Sequence, residues 1–214
     1  MFPSINFNKN YVFIIMNKLY FLTGIIGPVV TLSLIFLDIS ISPYFSWHVN
    51  SLSSLGIHKY YYLFDSAVIF EGLMNTAFSV FLYRAVPVKP LPIILMIIGS
   101  IGLFFVGIFN EHTGDIHLTF AILYFILMPL GIIIFSLFRI SRFITLYGMI
   151  SALISLMVII IGILMALKII KLKGVGLSIP ETIEALLLAS WIIMLASYII
   201  FNYSKLQTNK IILA

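Results

Sequence analysis

Six stretches of roughly twenty apolar residues alternate with short polar joints along this chain, at 19–37, 62–83, 91–109, 116–138, 144–167 and 183–201. About 20 apolar residues carry a helix across a hydrocarbon core. No strand-type alternation competes with this pattern. Backbone inside lipid must satisfy its own N–H and C=O groups, which a helix does. The pattern predicts an all-α integral membrane protein, a six-transmembrane-helix bundle forming a single domain over 1–214. Its longest joint is the loop 38–61. Ahead of the first span, 1–18 holds one lysine before a short apolar run at 11–16. That run is too short for a signal-peptide core and no small-residue cleavage pattern follows, so the segment is expected to stay attached, lying along the interface.

Composition agrees with lipid as the solvent. Of 214 residues, 62% are hydrophobic and 9% charged, against about 25% charged in a soluble domain. There is no cysteine, which excludes disulfides and thiolate metal sites. The net charge of +5 comes from basic residues scattered singly between apolar spans. Scattered charge of that kind sets orientation in a membrane and gives no nucleic-acid patch. Lys9, Lys18, Arg84, Lys89, Arg139, Arg142, Lys205 and Lys210 fall on one side, and Lys59, Lys168, Lys171 and Lys173 on the other. The positive-inside rule then gives a multi-pass protein of the cell membrane, N-in and C-in, with both termini cytoplasmic. Lys168, Lys171 and Lys173 run against that bias and are expected to snorkel from the end of span five.

The acids and histidines crowd toward the predicted outer side. Asp38, Asp65, Glu111, Asp115, Glu181, Glu184, His48, His58, His112 and His117 all fall there, and Glu71 alone lies deep. Glu71 sits about 14 Å into span two at 1.5 Å per residue. A carboxyl at that depth faces a protein interior or a wet cavity. Asn75 follows one turn later on the same face. Two readings compete for Glu71: a functional acid, or a protonated side chain bonding a neighbouring helix. The hairpin 107–117 gathers Glu111, His112, Asp115 and His117, the residue types of acid–base catalysis and metal ligation. A divalent metal is possible on His112, His117 and Glu111, although the spacing matches no zinc motif. No nucleotide or flavin signature is present.

Bland readings stand beside these. Asp115 after Gly114 suits an N-cap for span four. Ser178, Pro180 and Glu181 read as a Ser-x-x-Glu capping box, with Glu184 facing elsewhere. In the loop, Asn50, Ser51, Ser53 and Ser54 suit bonds to loop backbone, and Gly56 a tight reversal. Ser53 as a nucleophile needs a positioned base, for which His48, His58 and His117 are the candidates. Gly99, Gly102 and Gly107, and Gly148, Ala152 and Ser155, suit close helix approach.

Two blocks carry a family resemblance. The stretch 42–73, with Phe45-Ser46-Trp47, Asn50-Ser51-Leu52-Ser53-Ser54-Leu55-Gly56 and Phe64-Asp65, resembles the first outer loop and second span of a prokaryotic six-helix membrane family, domain of unknown function 998. The stretch 106–125, with Gly107-Ile108-Phe109-Asn110-Glu111 and His117, resembles that family's second block. Together they cover about a quarter of the chain. The resemblance implies the six-helix architecture and points to Asn50, Ser53, Gly56, Glu111 and His117, without implying an activity. Ser54 stands where the family usually has aspartate, and Asp65 where it has asparagine. More distantly, the loop is similar to that of a eukaryotic six-helix group linked to lipid remodelling and autophagy.

Three functions compete on these grounds. The first is an outward-facing lipid-headgroup binder or lipid-modifying enzyme of hydrolase or transferase type. Its catalytic candidates are Glu71, Glu111, His117 and Ser53, and its ligand-binding candidates His48, Asn50, His58, Asp65, Asn75 and His112. The partner there is membrane lipid. The second is an accessory or scaffold subunit, with a membrane-protein partner or a second copy of itself. The third is a proton- or solute-coupled transporter using Glu71 as relay.

Overall fold

The computed structural model describes residues 18–213, with side chains through Tyr203. The expectation for the interfacial segment 1–17 lies outside the described residues. Six helices carry the fold: α1 (Thr23–Ile41), α2 (Tyr61–Ala85), α3 (Pro90–Ile108), α4 (Asp115–Ser136), α5 (Arg142–Ala166) and α6 (Ser178–Leu213). Each is long and apolar enough to cross a membrane, and no strand occurs among the described residues. Two short 3-10 turns, Ser53–Ile57 and Glu111–Thr113, sit in the loops at one end of the bundle.

Two span boundaries differ from the hydropathy reading. The first helix continues past residue 37 to Ile41. Asp38 is not the start of a loop, because its carboxyl is fully buried and accepts from the Ser42 hydroxyl at 3.0 Å. The last helix begins at Ser178 rather than 183 and runs to Leu213. Its 36 residues extend about 54 Å at 1.5 Å per residue, and Ser178–Tyr203 within it is long and apolar enough to form the crossing.

Each helix packs chiefly on its neighbours in the chain, and α6 returns to lie against α1. The bundle is thus a closed ring. Trp191 on α6 is fully buried and meets Phe135 of α4 edge-on, with ring centroids 5.6 Å apart. Phe143, Leu146, Met157 and Ile160 stay exposed on α5, as a lipid-facing surface requires.

Without a hydrophobic drive between helices in lipid, close backbone packing has to hold them. The α2–α3 seam shows how. A Cβ added at Gly72 would come within 2.6 Å of the Phe104 nitrogen and 2.7 Å of the Ser100 oxygen, both backbone atoms of α3. Gly107 abuts the Asp65 carbonyl in the same way, and Gly99 and Gly102 of α3 abut α4 backbone. Gly99, Gly102 and Gly107, read as close approaches, do serve that purpose, whereas Gly148 makes room for the side chains of Trp191 and Ser136.

Gly72 therefore admits no side chain unless two helices part. Gly72→Leu should cost about 2 kcal/mol or more, the upper range for overpacking. It should lower the thermal midpoint of the purified protein by several degrees in a size-exclusion stability assay. Leu73→Ala, at a lipid-exposed neighbour, should leave the midpoint nearly unchanged.

Candidate functional site

The loops 42–60, 109–114 and 167–177 meet at one end of the bundle, here termed the polar end. The long loop does not float over it. The first N–H groups of a helix have no partner within the helix, and α6 gives one of its own to the loop. Ser178 N–H donates to the Asn50 carbonyl at 2.9 Å, and the Ser178 hydroxyl donates to the Trp47 carbonyl at 3.3 Å. Gly176 N–H also reaches Trp47, at 3.0 Å. In return Leu52 N–H donates to Glu181 Oε2 at 2.5 Å. This corrects the capping-box reading: both Ser178 and Glu181 bond the distant loop, not each other. Asp115 also departs from its expected role. Gly114 occupies the N-cap position at φ 59°, with no side-chain cap, and Asp115 opens the helix as an exposed acid in the first turn.

Two adjoining cavities open below this roof. The inner one, about 80 Å³, lies between α1, α2, α4 and α6, with Glu71, Tyr124 and Glu181 in its wall. The outer one, about 370 Å³, lies between the 109–114 hairpin, α4, α5 and the start of α6. Ser53, His117, Ala121, Phe125 and Glu181 line both, so the two meet at these residues. Their space comes from short side chains. Ala121, Ala185 and Ala189 flank the inner cavity, and Gly162 and Ala166 the outer one. Toward α4 and α5 the outer wall is apolar, built from Leu118, Ile122, Ile159 and Ile163.

The polar groups form a descending line. Ser51 donates to both oxygens of Glu111, at 3.1 and 3.2 Å. Glu111 is within electrostatic range of Glu181, and Glu181 of Glu184. Tyr124 is within range of both Glu184 and Glu71. Asn75 then donates to Glu71 Oε1 at 2.8 Å. Glu71 Oε2 and both oxygens of Glu184 are buried without a partner. Glu71 is bonded by Asn75 one turn along its own helix, and the Thr31 side chain of α1 also lies beside its carboxyl. Among the described residues, no lysine or arginine lines either cavity.

His117 is oriented by backbone. Its Nδ1 lies 2.7 Å from the Phe109 carbonyl, which can only accept. The Nδ1 therefore carries a proton, and in the neutral ring Nε2 keeps a free lone pair. That ring is buried and borders both cavities. Stacking of Phe109 on Phe120, centroids 5.6 Å apart, fixes the same hairpin.

The residues that sequence singled out thus divide. Ser53 and His117 lie at the junction of the cavities, Glu111 lines the outer one beside them, and Glu71 and Asn75 lie below. Ser53 makes no hydrogen bond to His117 among the described residues, so a serine–histidine nucleophile pair is not assembled. His48 and Asn50 hold loops: His48 Nδ1 meets the Gly174 carbonyl at 2.6 Å, and Asn50 Oδ1 accepts from Ser46 N–H at 2.8 Å. Asp65 and His58 belong to a separate group with Asp38, Ser42 and Tyr44 at the top of α1 and α2. Asp38 and Asp65 are within electrostatic range there, and His58 packs against the Tyr44 ring at 3.8 Å. Burial holds the Tyr44 hydroxyl above its ordinary pKa. His112 is exposed. Among the described residues no group of three or more His, Asp and Glu is arranged to hold a metal ion, so the donor set His112, His117 and Glu111 does not converge.

The model of a family described as proteins of unknown function, DUF998, matches residues 25–198. The chain belongs to the DUF998 family. No curated protein and no solved structure matches it, so the likeness to the eukaryotic six-helix group is carried no further. For this DUF998 chain the match spans every helix, well beyond the two blocks legible by eye.

Three site residues of this DUF998 protein escaped the sequence reading. The spacing of Glu181 suggests a cap and that of Ser51 a bond to loop backbone, and Tyr124 carries no sequence signal of its own inside an apolar span. A signal for Glu181 existed. Glu181, Ala185 and Ala189 are spaced four apart, which puts an acid and two small residues on one helix face.

The Leu52–Glu181 bond has a direct test. Glu181→Ala leaves the Leu52 N–H without its acceptor, costing about 1–3 kcal/mol locally. Amide hydrogen exchange across 51–57 should accelerate at least tenfold. Glu181→Gln retains an acceptor oxygen and should keep most of the protection.

Proposed function

We propose that this protein is a lipid-binding membrane protein whose polar end faces outward and whose joined cavities receive the polar head of a membrane amphiphile. One observation carries the reading. The outer cavity combines an apolar wall on α4 and α5 with a polar floor of Ser51, Ser53, Glu111, His117 and Glu181. That division suits a molecule with a polar head and an apolar chain. The head enters sideways between α4 and α5, and the chain stays against Leu118, Ile122 and Ile163. Membrane lipid is the most abundant such molecule.

The site's acid–base groups suit hydrolysis or transfer at the head, but binding is the role the geometry favours. His117 offers an acceptor nitrogen, and Glu111 is held by Ser51. A nucleophile already paired with a base, which covalent catalysis calls for, is not built. A relay to the other face finds little support either. Below Asn75, the Ser79 hydroxyl bonds a carbonyl of its own helix, and the unpartnered groups there, Ser136 Oγ and Trp191 Nε1, include no carboxyl.

Orientation can be read cleanly, because the native chain has no cysteine. Lys173→Cys should react with a membrane-impermeant maleimide on intact cells, and Lys89→Cys only after permeabilisation. The reverse pattern overturns the outward assignment. For binding, Glu111→Gln and His117→Ala each remove a buried polar contact, worth about 1.5 kcal/mol or roughly tenfold in affinity. Mass spectrometry of the purified protein should show co-purifying lipid in the wild type and strong depletion in both variants. Ile122→Trp, which fills the apolar wall, should deplete it too. Retention of the full lipid complement in all three sinks the proposal.

A further inference from the structure

The cavities' chemistry narrows what head they accept. Lining carboxyls number four across the two spaces: Glu71, Glu111, Asp115 and Glu181. Among the described lining residues, no lysine or arginine answers them. Glu111 and Glu181 are within range of each other, and like charges at close quarters disfavour both being ionised without a counter-charge. Glu71 is 5% exposed, borders the inner cavity, and leaves Oε2 with no partner. An unmade bond of that kind at a buried acceptor is costly. His117 Nε2 is a further acceptor, since Nδ1 is committed as a donor. The site is therefore rich in carboxyls and acceptors, with the hydroxyls of Ser51, Ser53 and Tyr124 as neutral donors along its walls.

An anionic phosphate or sulfate head entering alone would meet carboxyls with no arginine or lysine among the described lining residues, and the uncapped start of α4 at Gly114 already carries the Asp115 carboxyl in its first turn. At the start of α6, Leu52 N–H is taken by Glu181 and Ser178 N–H by the loop. A head that donates hydrogen bonds and carries positive charge meets the opposite situation. It neutralises the Glu111–Glu181 pair and supplies protons to acceptors that lack them. Charge-assisted hydrogen bonds of ammonium to carboxylate are among the stronger polar contacts. The apolar wall keeps the attached chain out of water.

Resting on the lipid-binding reading above, we propose that the site selects amphiphiles with a primary ammonium head, held between Glu111 and Glu181 with His117 Nε2 as a third acceptor. A neutral polyol head binds more weakly, and an anionic head weakest.

Three single-chain probes with the same ten-carbon tail separate these cases: decylammonium, decyl maltoside and decyl phosphate. Affinity of each for the full-length protein in lipid nanodiscs, below the probe's micelle concentration, gives the order. Decylammonium should bind at least tenfold more tightly than decyl phosphate, with the maltoside between. Glu111→Gln should shrink the ammonium-over-phosphate ratio at least fivefold while changing maltoside affinity little. Glu181→Gln, which keeps an acceptor for Leu52, should act in the same direction. If decyl phosphate binds as tightly as decylammonium, and Ile122→Trp abolishes both, the cavity takes amphiphiles but the ammonium selection is wrong. If Ile122→Trp changes no probe's affinity, binding lies elsewhere and the lipid-site reading fails with it. An ammonium preference that survives in Glu111→Gln and Glu181→Gln together also overturns the proposal, because general attraction to the membrane surface would explain it.

Discussion

The arrangement at the polar end depends on one exchange of hydrogen bonds between a loop and a helix start. Ser178 at the first turn of α6 donates to Asn50 and Trp47, and the loop's Leu52 N–H is returned to Glu181. A helix N-terminus in lipid needs partners for its N–H groups. A loop passing over a cavity needs something to hold its backbone. Each supplies the other's need. The consequence is chemical as well as mechanical. Glu181 is turned toward the loop and the cavity, not back onto its own helix, and it brings an acid next to Glu111.

This coupling explains why part of the site was legible in sequence and part was not. The spans were readable because hydropathy and length fix them in lipid. The close seams at Gly72, Gly99 and Gly107 follow from the same physics, since small side chains are what permits backbones to touch. Glu111 and His117 were readable as members of one short hairpin. Glu181 was not, because a Ser-x-x-Glu spacing is satisfied equally by a local box and by a pair of long-range bonds. Sequence spacing reports which bonds are possible within a turn, and is silent about a loop 129 residues earlier that competes for them. His48, His58 and His112 shared a predicted side of the membrane with His117, but a common side does not place side chains in one pocket. His48 ties two loops, His58 packs on Tyr44, and His112 points to the exterior.

The same geometry bears on the choice between binding and transport. A conduction path needs polar groups free to exchange partners through both halves of the bundle. Here the carboxyls with unpartnered oxygens, Asp38, Asp65, Glu71 and Glu184, lie toward the loops, while Asn75 Oδ1, Ser136 Oγ and Trp191 Nε1 are the unpartnered groups deeper in the bundle. The Ser79 hydroxyl is closed onto its own helix. What remains beneath the roof is a pocket with a floor.

A floor of carboxyls without cations is an expensive thing to fold in a membrane protein. Burial of unpaired acids disfavours their charged form, and desolvation of an ion pair costs several kcal/mol even when the partners are present. A bundle held only by packing would gain by replacing Glu71 or Glu184 with leucine. On the ligand-binding reading proposed above, Glu71, Glu111 and Glu181 border the space such a ligand would fill, and the short side chains at Ala121, Ala185 and Ala189 leave room for it. On this account the void and the unmatched acceptors are one feature, the outline of a polar head framed by an apolar wall.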